Sequence, residues 1–188
     1  MRSKTRLLWM HLHSYIACFF LPIALLYLAT GLVYMLGYEG EESELLHQPF
    51  TLENKTWPID EAKVKAELEP FIKENKLGPF PTDFYNEEGK WLSWYSYKGA
   101  ITLFPTEDPG EYTLEVIEHD FWKSLLLIHK SYAGPFFWYL SFAFGLSLLF
   151  SLTSGLIIAI ASKKFRSNSL ISLVIGCATL LLAYLLGN

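Results

Sequence analysis

The stretch Trp9–Leu36, WMHLHSYIACFFLPIALLYLATGLVYML, decides the architecture. It places two histidines, His11 and His13, at the start of a long uncharged apolar run. No Asp, Glu, Lys or Arg occurs from Ser14 to Tyr38, and the same holds from Ser131 to Ser162 and from Ser167 to Asn188. A bilayer core is crossed by about 20 apolar residues, so each stretch is long enough to span one. The second opens and closes like the first: Ile128–Ile160, IHKSYAGPFFWYLSFAFGLSLLFSLTSGLIIAI, has a histidine followed by Ser-Tyr and ends in a hydroxyl residue, Gly and Leu. A cleaved signal peptide has an apolar region of only about 7–15 residues and a small-x-small site. The first run is longer and TGLVYMLGYEG offers no such site, so it reads as a retained anchor.

Charge placement gives an expected orientation. Arg2, Lys4 and Arg6 precede the first run, and Lys163, Lys164 and Arg166 separate the second from the third. All 19 acidic residues fall between Glu39 and Asp120. The positive-inside rule then puts the N-terminus in the cytoplasm, residues 38–130 outside and the C-terminus outside. The expected organisation is an N-terminal tail and membrane helix over 1–37, an extracytoplasmic domain over 38–130, and a membrane helix over 131–162. A cytoplasmic loop over 163–166 and a third membrane helix over 167–188 complete it. The outer segment carries nine lysines against the 19 acids, a net charge of −10. Such a surface disfavours nucleic acid. It keeps the segment soluble and also concentrates cations, iron among them. Cys18 and Cys177 both fall in the apolar runs, so no external disulfide is expected. The Asn54-Lys55-Thr56 sequon matters only in a eukaryotic secretory pathway.

The outer segment reads as a small α+β unit. WPIDEAKVKAELEPFIKENKLG, from Trp57, has Pro58 near its start, acids in its first turn and Gly78 beyond its last. Pro70 is expected to break or kink this helix. TDFY and WLSWYSYK flank the turn NEEGK, and AITLF and YTLEVIEH flank Pro109-Gly110, giving three or four antiparallel strands. Trp57, Trp91 and Trp94 are read as packing residues, and Trp122 as an interfacial one.

The pairing of Leu12-His13 with Thr30-Gly31, and of Ile128-His129 with Ser154-Gly155, resembles the PepSY-associated transmembrane family. So does the helix start Ile59-Asp60-Glu61-Ala62. The resemblance covers most of the chain up to about Ile160, although many relatives have four or more spans. In compact form it is similar to VciB-type haem-binding ferric reductases of the bacterial inner membrane. It implies a PepSY-like periplasmic domain over 38–130, haem b as cofactor, and reduction of ferric to ferrous iron for uptake.

Ionisable residues within a membrane point to function, whereas a histidine at the edge also reaches water at little cost. The residues alone leave both readings open for His13. The resemblance makes His13 and His129 the expected ligands of haem iron, with His11 an alternative ligand or a contact to a propionate or donor. Ser14, Tyr15, Ser131 and Tyr132 are candidates for orienting the rings. With His13 near the inner face, His129 lies about 30 Å away across the bilayer. A homodimer would therefore pair each histidine with its own copy. His47 and His119 lack metal-motif spacings, although His119 is a weaker candidate for binding iron. Close packing is expected at Gly31, Gly145, Ser154 and Gly155.

No phosphate-binding Gly-rich loop occurs and the expected cytoplasmic segments are too short for a nicotinamide or flavin domain, so a reductase of this kind would take its electrons from a quinol, a reduced flavin or another protein. A ferrous iron importer is the expected recipient of the product. The rival expectation is a non-enzymatic accessory protein whose outer domain binds or regulates a partner, with ordinary interfacial histidines. Ion transport ranks third, because the three runs hold no embedded carboxylate.

Overall fold

The computed structural model describes residues 3–53, 60–87, 90–108 and 110–187. The sequon, Trp57, Pro58, Ile59, Glu88, Gly89, Pro109 and Arg2 lie outside the described residues. In chain order the elements are α1 (Ser3–Met35), β1 (Glu42–Thr51), α2 (Glu61–Glu74), β2 (Asp83–Glu87) and β3 (Trp91–Ser96). There follow β4 (Gly99–Pro105), β5 (Glu111–His119), α3 (Phe121–His129), α4 (Gly134–Ala161) and α5 (Arg166–Leu186). Three of these helices, α1, α4 and α5, are long and apolar enough to cross a membrane. The remainder supplies a small antiparallel sheet with its own helices.

The chain divides into two compact units, Met1–Leu25 with Phe142–Asn188, and Leu26–Ser141. In the first, Trp9 stacks on Phe150 with ring centroids 5.8 Å apart, and Phe20 meets Phe144 at 6.1 Å. The turn into α5 is closed by Arg166, whose Nε donates to the Ile160 carbonyl at 2.7 Å. None of the residues of α5 is buried, as suits a helix long and apolar enough to cross a membrane.

The second unit is built on a five-stranded sheet of order β1-β5-β4-β3-β2, antiparallel throughout. Strand alternation sends Leu92, Trp94, Ile101, Leu103, Leu114 and Val116 to one face. There they pack on Val64, Leu68 and Ile72, which recur every four residues along α2 and so share one helical stripe. Trp94 anchors this core between Phe80 at 5.2 Å and Phe84 at 5.1 Å. Its indole N–H has no hydrogen-bond partner among the described residues, and aromatic packing surrounds the ring.

Two details differ from expectation. Pro70 does not divide α2, which runs unbroken over Glu61–Glu74. The proline lies on the exposed side, where the carbonyl it deprives of a partner can turn to water, while Leu68 and Ile72 clamp the buried side. The sheet also has an additional strand, β1. Its acidic start and its Pro49 argue against a central strand, but both are tolerated at an edge. The second unit takes in residues on either side of 38–130. Tyr27 and Ser141 join their hydroxyls at 2.5 Å within it, tying the end of α1 to the start of α4.

The link from α1 to β1 sets the start of α3. Asp120 caps that helix, its carboxylate accepting from the Lys123 N–H at 2.6 Å and from the Tyr38 hydroxyl at 3.2 Å. The cap holds the Asp120 carboxyl below the usual carboxylate range, chiefly through that Lys123 N–H. Gly40 permits the approach. Its φ is +81°, and a Cβ there would stand 2.2 Å from the Lys123 nitrogen. Gly78 also has a left-handed φ, +91°, but open space around it. Gly78→Ala should therefore cost about 1–2 kcal/mol of left-handed strain. Gly40→Ala should cost that plus about 1–3 kcal/mol of overpacking. Unfolding of both variants by denaturant checks the order, and equal losses would remove the close-approach argument.

Candidate functional site: two hydroxyl-held histidines

The first site lies in the unit formed by residues 1–25 and 142–188. His13 comes from the N-terminal part of α1, and its Nδ1 lies 2.8 Å from the Ser154 hydroxyl of α4. Ser154 is fully buried, and its hydroxyl also donates to the Ser151 carbonyl at 3.1 Å. A hydroxyl has one proton to give. With that proton on the backbone carbonyl, the oxygen accepts from Nδ1–H, and we assign His13 this tautomer. The ring lies beside Gly155, where an added Cβ would sit 3.7 Å from Cε1.

The second site lies in the unit formed by residues 26–141 and repeats the arrangement. His129 ends α3, and its Nδ1 stands 2.6 Å from the Thr30 hydroxyl. Thr30 donates its proton to the Leu26 carbonyl at 2.8 Å, the ordinary back-bond of a helical threonine. His129 is thereby also assigned Nδ1–H. Its ring lies beside Gly31, with Cε1 3.9 Å from an added Cβ, and stacks on Tyr27 at 4.1 Å and 4°. Tyr27, Thr30 and Gly31 are spaced i, i+3, i+4 and so share a helical face, as do Ser151, Ser154 and Gly155. Burial, followed by the Lys130 charge, pushes the His129 pKa down, which keeps the ring neutral at pH 7.

Both arrangements leave an unprotonated Nε2 on a half-buried ring, with no hydrogen bond to it among the described residues. That is the state in which imidazole binds a metal, with the other nitrogen fixed by a neighbouring group. The orienting groups are Ser154 and Thr30. Ser14, Tyr15, Ser131 and Tyr132 make no hydrogen bond to either ring. The sequence motif sets each histidine with the Thr/Ser-Gly of its own run, His13 with Thr30-Gly31 and His129 with Ser154-Gly155, whereas the structure crosses them, His13 to Ser154 and His129 to Thr30.

No family model, curated protein or solved structure matches the chain.

The other histidines sit differently. His11 is exposed and stacks on Tyr15 at 6.0 Å. His119 has no exposed side-chain surface. Its Nδ1 donates to the Tyr97 carbonyl at 3.2 Å, and its Nε2 has no hydrogen-bond partner among the described residues. The nearest carboxylate oxygen, from Glu42, is 3.7 Å from Nε2 and is itself paired with Lys123 at 3.1 Å. His47 is exposed beside Glu44 and Glu115, with their ligand atoms all within 4.8 Å of one another. Glu44 and His47 are three residues apart and would normally face opposite sides of a strand. The register shift between Glu44 and Leu46 brings them to the same side. Exposed carboxylates often gather without a metal, so this cluster alone assigns no ion.

Burial lowers the pKa of His119, with the Tyr97 carbonyl and Glu42 opposing in part. A histidine with a depressed folded pKa favours the native state fully above its unfolded value, about 6.5. That contribution is lost as pH falls through the folded value, because the unfolded chain then binds more protons. The thermal midpoint should therefore drop as pH falls below about 6.5. His119→Gln should flatten the drop, and adding His129→Gln should flatten it further. An unchanged pH profile in the double variant would remove both histidines as its source.

Proposed function

We propose that this membrane protein binds haem b through His13 and His129 and passes electrons to ferric iron on the outer side of a bacterial cytoplasmic membrane. The observation that carries the reading is the repeated one: two imidazoles, each with Nδ1–H given to a buried hydroxyl and Nε2 left free. The donor chemistry fits haem iron, which takes imidazole nitrogen as an axial ligand. When bound, haem supplies a one-electron couple.

The chain's own residues prepare for that group. Ser154 and Thr30 fix tautomer and ring orientation, and a donor whose other nitrogen is so held is a stronger ligand. Tyr27 braces the His129 ring face to face. Partial burial, with Lys130 adjacent, keeps His129 from protonating in competition with metal. Gly31 and Gly155 keep the helix surface low beside each imidazole, which leaves room for a flat ring. Each ring is only half-buried, so a second copy of the chain can approach it. In the homodimer proposed here, each histidine faces its counterpart across the twofold axis.

The remaining parts of the reading rest on charge and resemblance. The basic residues flanking the runs support an N-inside, C-outside orientation with residues 38–130 in the periplasm. The sheet with α2 on one face is compatible with a PepSY-like domain. The net −10 charge of that segment favours the arrival of iron, free or chelated. The electron donor is a quinol, a reduced flavin or a protein, and the ferrous product would pass to an importer.

Absorbance of the purified full chain with added hemin tests this. The account expects a Soret band and a reduced-minus-oxidised b-type spectrum. His13→Ala and His129→Ala should each lower the haem bound. Thr30→Val and Ser154→Ala should weaken it about 10–100-fold, as loss of an orienting partner does. A folded, dimer-competent protein that stays colourless with excess hemin would favour the accessory role and end the haem reading.

A further inference from the structure

The sheet has a second face, and it is only partly covered. α2 packs on one side, while α3 covers the other near β5, where Leu126 and Leu127 are buried. Toward β2 and β3 a cleft of about 400 Å³ remains. That volume falls within the roughly 300–1,000 Å³ of small-molecule sites. Its walls are unusual for a water-facing surface. Tyr85, Trp91 and Tyr95 come from the strands, and Tyr132 follows α3. Tyr85 and Tyr132 remain 41% and 45% exposed, so aromatic faces are left open rather than packed away. The Ser93 hydroxyl, paired with Thr102 at 2.9 Å, lies among them.

Two lysines, Lys123 and Lys130, also line the cleft. Lys123 is neutralised by Glu42 at 3.1 Å. Lys130 makes no ion pair among the described residues and holds its Nζ 5.1 Å from the Tyr34 ring centre. Of the two lysines that line the cleft, Lys130 is therefore the one whose charge has no carboxylate beside it among the described residues. The Tyr95 and Tyr85 phenols remain donors at neutral pH. Burial, then Glu42, pushes Tyr95 up to about 12, and burial and Asp83 raise Tyr85. Open ring faces demand a flat partner, while one free cation and several hydroxyl donors demand an anion rich in acceptors.

We propose that this cleft binds a planar aromatic ring carrying an anionic group, stacked among Tyr85, Trp91, Tyr95 and Tyr132 with its charge on Lys130. Lys123, Leu126, Leu127 and Lys130 share one stripe of α3, and at 3.6 residues per turn His129 points about 100° away from it. Binding in the cleft therefore does not use His129 and stands apart from the haem reading.

Flavin mononucleotide is a suitable probe, with riboflavin as its uncharged counterpart and glycerol phosphate as an anion without a ring. Flavin fluorescence is followed on adding full-length protein in detergent. Saturable binding of the mononucleotide is expected. Lys130→Ala should weaken it about tenfold, the loss of one charge-assisted contact, while leaving riboflavin nearly unaffected. Trp91→Leu should weaken both flavins, and Trp91→Phe, which keeps a ring, should retain most of the binding. His129→Ala should change none of this, even if it abolishes the haem spectrum. The proposal is overturned if neither flavin binds saturably, or if Lys130→Ala and Trp91→Leu leave binding intact. It is also overturned if glycerol phosphate binds as tightly as the mononucleotide, which would mark a lipid-headgroup type of anion site.

Discussion

A hydroxyl group has one proton, and in this protein two buried hydroxyls have already given theirs to the backbone. Ser154 donates to the Ser151 carbonyl and Thr30 to the Leu26 carbonyl, so each can only accept from the imidazole beside it. This single constraint sets the tautomer of His13 and of His129, and through it the chemistry that each can perform. The same residues would read as unremarkable helix-packing serine and threonine if the histidines were elsewhere. A glycine follows each hydroxyl residue and lies against the ring. The imidazole lies beside the helix surface at each glycine, where an added Cβ would just reach van der Waals contact with the ring.

The second site depends on the sheet-bearing unit in a way the first does not. His129 is placed by α3, α3 is started by Asp120, and Asp120 is seated by Gly40 and Tyr38. The sheet-bearing unit is thus part of the support for an imidazole rather than an appendage. Glu42 connects to the same network, since it pairs with Lys123 and faces His119. A change in the strands around β1 therefore has a physical route to the start of α3. The acidic charge of the segment and the aromatic cleft beside α3 lie within the same unit.

Much of the fold was legible in the sequence because its signals are local. Long uncharged runs marked the three apolar helices, and alternation bounded by turn residues marked β2 to β5. β1 was not legible, because ESELLHQPFT has an acidic start, a proline and a bulge, and only its edge position makes these acceptable. The continuity of α2 through Pro70 depends on which side of the helix faces solvent, and that is a tertiary fact. The candidate histidines stood out by position and by the repeated Thr/Ser-Gly ending. Their partners did not, because 141 residues separate His13 from Ser154 and 99 separate Thr30 from His129. Likewise, nothing in the spacing of Tyr85, Trp91, Tyr95 and Tyr132 announces that they gather around one cleft.

The tautomer is the claim on which the rest turns, and it can be read without any cofactor. Nitrogen NMR of the full chain labelled with ¹⁵N-histidine, assigned by single His13 and His129 variants, reports which ring nitrogen carries the proton. The account predicts a protonated Nδ1 and a bare Nε2 for both residues at neutral pH. A proton on Nε2 with a bare Nδ1 in either would mean that its hydroxyl donates to the ring instead, and that imidazole would not be poised to bind metal.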